Sequence, residues 1–279
     1  MEQLTLDTPH LRFLRTVREH ELNFALSYFP LARQGSKNRT VLEIGAGTGQ
    51  QARLLSDKGY QVTAIDLPSS HYRNDRIFEI TEYDGRNIPL PDHSIDVVFS
   101  SNVLEHVREI DCFLDEQQRV MKDDGIAIHV LPSTSCRMWA IPAHYVWLTQ
   151  RILALFMAKL RRKASVSSNT DIPSSPRSAR DWLITLVPMP HGERGNTLSE
   201  AYYFSQYWWR RKFQQHGFTI VRIEGNGLFY TMANALTDSL SFKLRSRLAR
   251  LLGSACHVYV LKRDGAKKMA TKHISARAE

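Results

Sequence analysis

Short apolar runs alternate with stretches of helical periodicity through the middle of the chain. Thr40 to Ile44 is rich in β-forming residues, and Gln50 to Lys58 holds helix formers that stop at Gly59. The pattern predicts further strands over Tyr60–Ile65, Arg76–Glu82, Ile95–Ser100 and Ile126–Leu131. It also predicts a helix over Ile110–Met121, closed by Asp123-Asp124-Gly125. Apolar strands alternating with helices at these lengths imply a parallel sheet covered on both faces.

The flanks read differently. Residues 1–38 predict helix, with Leu11, Leu14, Val17 and Leu22 near helical spacing and Arg12, Arg15 and Arg18 between them, until Pro30, Gly35 and Asn38 break the pattern. After Pro132 the rhythm stops. Arg137–Lys163 is aromatic and apolar with a basic end, and Ala164–Arg180 is a Ser-, Pro- and Arg-rich linker or loop. Order resumes with a helix over Ser205–His216, a strand over Phe218–Glu224, a helix over Leu240–Leu252 and a last strand over Cys256–Leu261. The chain divides on this reading into a helical segment (1–38), a nucleotide-binding core (39–131), an insertion or lid (132–200), a part that completes the sheet (201–263) and a basic tail expected to be disordered (264–279).

Composition narrows the picture only a little. At 279 residues and 43% apolar content the chain is long enough for one large α/β domain with insertions, or two small domains, and has material for a substantial core. The formal net charge of +9 favours acidic partners such as nucleic acid, anionic lipid or phosphorylated substrates without choosing among them. Three cysteines, Cys112, Cys136 and Cys256, stand far apart with no CxxC pair or metal-ligand spacing, so neither zinc nor a disulfide framework is expected. A reducing, cytoplasmic compartment fits that usage, and Met1–His10 lacks the apolar run of a secretory signal.

The candidate chemistry centres on Val41-Leu42-Glu43-Ile44-Gly45-Ala46-Gly47-Thr48-Gly49, which follows a predicted strand and opens a predicted helix. The dinucleotide pattern GxGxxG would need glycine where Gln50 stands, and the P-loop ending Gly-Lys-Ser/Thr is absent. Glu43, two residues before the first glycine, would repel a pyrophosphate and attract an ammonium group. S-adenosylmethionine carries an ammonium, a sulfonium and no phosphate, so the charge fits that cofactor. Asp66 ends the second strand, where an acid accepts hydrogen bonds from ribose hydroxyls. Tyr83-Asp84-Gly85 follows the third strand, with Asp84 placed to accept from an adenine amino group.

With Pro91-Asp92-His93-Ser94-Ile95-Asp96-Val97-Val98 and Val103-Leu104-Glu105-His106-Val107, residues 39 to 131 resemble the class I S-adenosylmethionine-dependent methyltransferases, most closely the subgroup acting on small molecules. The resemblance implies an α/β, Rossmann-like, doubly wound and mostly parallel seven-stranded sheet, with a helical insertion after the fifth strand. It implies that Glu43, Gly45, Ala46, Gly47 and Gly49 hold the methionine moiety. Asp66 and Leu67 would hold the ribose, Asp84 and Gly85 would flank the adenine, and Ser101 or Asn102 would line the methionine side. In the related quinone-pathway methyltransferases this region carries an extra acid that helps hold a divalent cation. Asn102 occupies that position here, so no metal is expected.

Methyl transfer is a displacement at carbon in which the protein mainly aligns donor and acceptor, and a base is needed only for a weakly acidic acceptor. The candidate catalytic residues are His106, at the carboxyl edge of the fourth strand, and His191 and Glu193, in the Pro- and Gly-framed run Pro188–Asn196 that would sit over the acceptor pocket. Each has a structural reading beside it: a local helix cap for His106 and a solvated turn for the other two. His129, inside a strand, reads as a core histidine. Trp208 and Trp209 read first as core and second as a platform for a ring substrate.

Met138–Lys163 carries Arg151 at its centre, which disfavours a membrane span. It fits a lid helix packed on the sheet, or an interfacial helix whose aromatics and basic cluster suit anionic headgroups. The expected activity is methylation of a small molecule or a saccharide, including a lipid-linked one. Nucleic-acid methylation is disfavoured: the Asn/Asp-Pro-Pro-Tyr run of amino-group methylases is replaced by Ser100-Ser101-Asn102-Val103, and no Pro-Cys nucleophile is present there. A non-catalytic cofactor-binding protein is the remaining alternative.

Overall fold

The computed structural model describes residues 9–34, 37–164, 186, 188–231 and 240–264. The Ser- and Pro-rich stretch expected to be a linker, the tail beyond Asp264 and the chain before Pro9 lie outside the described residues.

Seven strands form one sheet: β1 (Thr40–Ile44), β2 (Gln61–Asp66), β3 (Thr81–Glu82), β4 (Ile95–Ser101), β5 (Met121–Pro132), β6 (Phe218–Gly225) and β7 (Cys256–Arg263). Their order across the sheet is β3-β2-β1-β4-β5-β7-β6. All neighbours are parallel except the last two pairs, in which β7 runs antiparallel to β5 and to β6. The order reverses between β1 and β4, the point where open α/β sheets bind ligands at their carboxyl ends.

Period-two alternation sends neighbouring side chains to opposite faces. Leu42, Ile44, Val98, Tyr259 and Leu261 enter one buried cluster with Phe113, Leu114, Trp209 and Phe213. Those four come from helices α3 (Ile110–Val120) and α6 (Gln206–Gln215). Val41, Val97, Phe99, Val258 and Val260 enter the other cluster, with Leu22 and Ala25 of α1 (Pro9–Ala25) and Leu55 of α2 (Gln50–Asp57). Both faces are therefore covered, which is why the strands read as apolar runs. Trp208 and Trp209 belong to this core. Trp209 is fully buried and stacks on Phe213 at 5.4 Å.

The insertion after β5 opens with α4 (Thr134–Ala164), a 31-residue helix with Pro142 inside it. The short α5 (Glu200–Tyr203) leads to α6, and α7 (Phe242–Leu252) precedes β7. Ser205 and Ser241 cap α6 and α7 by accepting from Trp208 N and Leu244 N.

Two elements depart from the pattern-based expectation. β3 is only two residues long because the segment before it bonds to the glycine loop instead of the sheet: Ile77 N donates to Thr48 O at 2.8 Å, and Phe78 packs at Gly49. β5 starts at Met121, so Asp123-Asp124-Gly125 is strand and not a turn. Lys122 pairs with Asp96 on β4 at 2.9 Å, and Arg263 on β7 donates to Met121 O at 2.7 Å, holding this extension on both sides.

Candidate active site

The glycine loop leaves β1 and enters α2 with Gly45, Gly47 and Gly49 at φ of +68°, +57° and +78°, the left-handed region that glycine alone adopts freely. Space is as tight as conformation. A Cβ on Gly45 would stand 2.5 Å from Val103 Cγ2, and one on Gly49 2.6 Å from Phe78 Cβ. Asp66 fixes the loop from β2: its Oδ2 accepts from Gly47 N at 3.0 Å and its Oδ1 from Leu67 N at 2.8 Å.

A cavity of about 610 Å³ opens at this edge. Gly45, Ala46 and Gly47 line it on one side, Ser101 and Asn102 at the end of β4, and His106 and His191 across from the loop. Tyr72 lies over Gly47, its ring 3.4 Å from where a Cβ would stand. The floor is a buried polar cluster that unites remote parts of the chain. Glu21 of α1, fully buried, accepts from Arg18 at 2.6 Å, from Asn226 Nδ2 at 3.0 Å, from Asn102 Nδ2 at 3.4 Å and from the Tyr230 hydroxyl. Burial pushes the Tyr230 phenol well above its ordinary range, so it stays protonated and donates.

Other predicted residues stand off the cavity wall. Glu43 is buried beneath the loop with Oε2 unpaired, and burial pushes its carboxyl up to about 8. The carboxylate of Asp84 is exposed and taken up locally, accepting from Asn87 N at 2.7 Å, Arg86 N at 2.8 Å and Asn87 Nδ2 at 2.7 Å. These bonds hold it below its ordinary range. Gly85, at φ +82°, packs on the exposed Leu67. Glu193 faces away, paired with Arg108 at 2.9 Å on the surface.

His106 and His191 come together, ring centroids 4.9 Å apart and 65° between planes. The cause is the anchoring of the Pro188–Asn196 loop. Buried Glu200 on α5 pairs with buried Arg137 on α4 at 2.8 Å and accepts from His191 N at 2.7 Å and from Gly192 N. Glu193 N donates to Glu105 O at 3.0 Å, and a Cβ on Gly192 would stand 2.9 Å from that same carbonyl. Arg194 donates to Leu104 O and Val107 O and covers the Trp208 ring at 4.9 Å. Burial holds His106 below the ordinary imidazole range and takes His191 down to about 4, so both rings are neutral at pH 7. His129 contrasts with them: fully buried, with Ser100 Oγ 2.8 Å from Nδ1 and Gln117 Oε1 3.1 Å from Nε2, it is a satisfied core residue.

Sequence reasoning assigned no site role to Arg18, Glu21, Tyr72 or Tyr230. The Arg-rich stripe of α1 was a usable signal for the first two. Tyr230 lies in a stretch with no motif.

Part of the chain is similar in sequence to known proteins. A family model described as "Methyltransferase domain" matches residues 42–129. A Mycobacterium tuberculosis protein named "Probable S-adenosylmethionine-dependent methyltransferase" is 34% identical over 100 residues, 34% of this chain and 36% of its own length. A demethylmenaquinone methyltransferase of Tropheryma whipplei is 30% identical over 138 residues, 40% of this chain and 58% of its own. The match thus spans about a third to just over half of the length of these curated relatives. Among solved structures, a Haloferax volcanii methyltransferase complex with the Trm112 activator aligns over 91% of this chain and 93% of that one, at TM-score 0.52 and 14% identity, which speaks for the fold. The sheet order, the left-handed glycine loop and the matched span agree: residues 42–129 match a methyltransferase domain, and the described residues share the fold of a solved methyltransferase.

Proposed function

We propose that this protein transfers the methyl group of S-adenosylmethionine to an acceptor held between the glycine loop and the His106–His191 pair. One observation carries the reading: a single cavity is lined both by Gly45, Gly47, Ser101 and Asn102 and by the two histidines. The residues fit the cofactor. The loop is a cradle that side chains would fill, and Glu43 beneath it is a buried acid with an unsatisfied oxygen, suited to a cationic ligand nearby.

The cofactor supplies a carbon activated by sulfonium. The chain would hold the acceptor between the glycine loop and the two histidines, against the activated carbon. A neutral imidazole, His106 or His191, would take the proton that the acceptor loses on methylation and pass it to solvent. Asp66, Leu67, Asp84 and Gly85 would meet the nucleoside part. Glu193 would act only through its hold on the loop.

The acceptor class we favour is a small molecule or saccharide, including one carried on lipid. α4 starts beside the cavity at Cys136 and exposes Ile152, Leu153, Phe156 and Met157 ahead of Lys159, Arg161, Arg162 and Lys163 in the sequence. No helix among the described residues is long and apolar enough to cross a membrane. The test is transfer of labelled methyl from S-adenosylmethionine into fractionated extract. Label in nuclease-resistant, small or lipid-extractable material is expected. Label lost on nuclease treatment would replace the acceptor class, and no label in any fraction would overturn the enzymatic reading.

A further inference from the structure

We propose that Glu105, His106 and His191 form a binding site for one divalent first-row transition cation of the zinc type, open towards the cavity. Each offers a ligand atom, and the three atoms lie within 4.8 Å of one another. Glu105 Oε1 is 3.8 Å from His106 Nε2, too long for a hydrogen bond. Ligands at about 2.0–2.1 Å from zinc stand roughly 3.3 Å apart, so the set closes by inward rotation of the side chains.

The carboxyl is the decisive group. Glu105 is fully buried, and neither of its oxygens meets a hydrogen-bond donor. A buried polar group without a partner costs stability, and it persists where function uses it. The two cationic side chains nearby are engaged elsewhere: Arg194 with the carbonyls of Leu104 and Val107, and Arg18 with Glu21. A cation between the imidazoles would give the carboxylate its missing partner.

The donor set fits such a cation: two imidazoles with one carboxylate suit zinc or iron better than magnesium or calcium. His191 is delivered by a built anchor, the Arg137–Glu200 pair and the close approach of Gly192 to Glu105 O. Three protein ligands and an open position describe a catalytic and not a structural site. The open position faces the cavity that His106 and His191 line, where an acceptor oxygen would bind and lose its proton more readily. With their lone pairs on the cation the two imidazoles would not take that proton, which would leave to solvent, so the cation would replace them as the group that activates the acceptor. Glu105 and His106 are adjacent and only His191 is remote in the chain, so no spacing motif marks the set; the sequence expectation of no metal rested on Asn102 and did not weigh His191 as a ligand.

The test uses the full chain, stripped of metal with a chelator. It is titrated with Zn2+ by calorimetry and with Co2+ by visible absorption, beside Glu105→Gln, His191→Asn and a His106→Asn/His191→Asn double variant. Circular dichroism checks that each variant is folded. One equivalent is expected for the unaltered protein, with affinity at least about tenfold weaker in each single variant, since loss of supporting groups alone costs that much. Zn2+ should also raise the thermal midpoint of the unaltered protein and leave that of the double variant unmoved. Absence of saturable binding, or one equivalent retained by the double variant, would overturn the site. S-adenosylhomocysteine is titrated into the same samples: its binding without metal binding would sink this site and leave the methyltransferase reading standing.

Discussion

The glycine-loop side and the histidine side of the cavity are built in opposite ways. The loop side is local: β1, the three glycines and α2 are contiguous, and only Asp66 and Phe78 reach in from beyond. The histidine side is assembled from pieces far apart in the chain. His106 follows β4, His191 rides on a loop anchored to α4 and α5, and the polar floor joins α1 to Asn226 and Tyr230. On each side a buried carboxyl is pushed up by burial to about 8: Glu43, with one oxygen lacking a hydrogen-bond donor, and Glu105, with both. On the proposed reading, the local scaffold serves the cofactor and the composite one serves the acceptor.

The two sides separate most widely in Glu200→Ala. Removing one partner of a buried pair strands Arg137 and releases the His191 loop. Chemical denaturation should show a loss of about 3–5 kcal/mol. Methyl transfer should fall while S-adenosylhomocysteine affinity in the folded fraction is retained. Equal loss of both would mean that the sides are not independent.

Gly49→Ala does the reverse. At φ +78°, with a Cβ 2.6 Å from that of Phe78, the substitution should cost about 1–3 kcal/mol and abolish cofactor-product binding by calorimetry. The histidine side should keep its geometry, read as unchanged metal titration.

The two carboxyls give a pH signature. Both are raised above their unfolded value of 4.5, so the native state keeps protons that the unfolded chain releases. Their contribution is full below pH 4.5 and is lost as pH rises through 8. His191 has the opposite sign: lowered to about 4, it contributes stability above 6.5 that is lost as pH falls towards 4. Between pH 6.5 and 8 the carboxyls therefore dominate. Stability should fall by at most about 1.4 kcal/mol per pH unit for each, and Glu105→Gln should flatten that slope. An unchanged slope would remove Glu105 from the account.

The smallest effect is expected at Arg108→Ala. Its pair with Glu193 is exposed, so the change should cost under about 1 kcal/mol and leave turnover near normal.

The same contrast decides what could be read without coordinates. Glycine spacing, Asp66 at a strand end and the alternation of Val41 with Leu42 are signals within a few residues, and they specified the sheet and its ligand edge. The brevity of β3 escaped because Ile77 gives its N–H to Thr48 O, a tertiary choice that strand propensity does not encode. Glu193 and His191 looked equivalent in sequence. Only the anchoring by Glu200 turns one to the cavity and leaves the other on Arg108. Arg18, Glu21 and Tyr230 escaped because nothing local announces that α1 crosses the floor of the site.

The most direct test of the central claim is calorimetric titration of the full chain with S-adenosylhomocysteine, beside Asp66→Ala. Asp66 holds Gly47 N, so its loss should loosen the loop as well as remove the ribose acceptor. Micromolar binding in the unaltered protein, weakened at least about tenfold in the variant, is the result expected from a charge-assisted hydrogen-bonded contact. A folded protein that takes up no S-adenosylhomocysteine would contradict the claim.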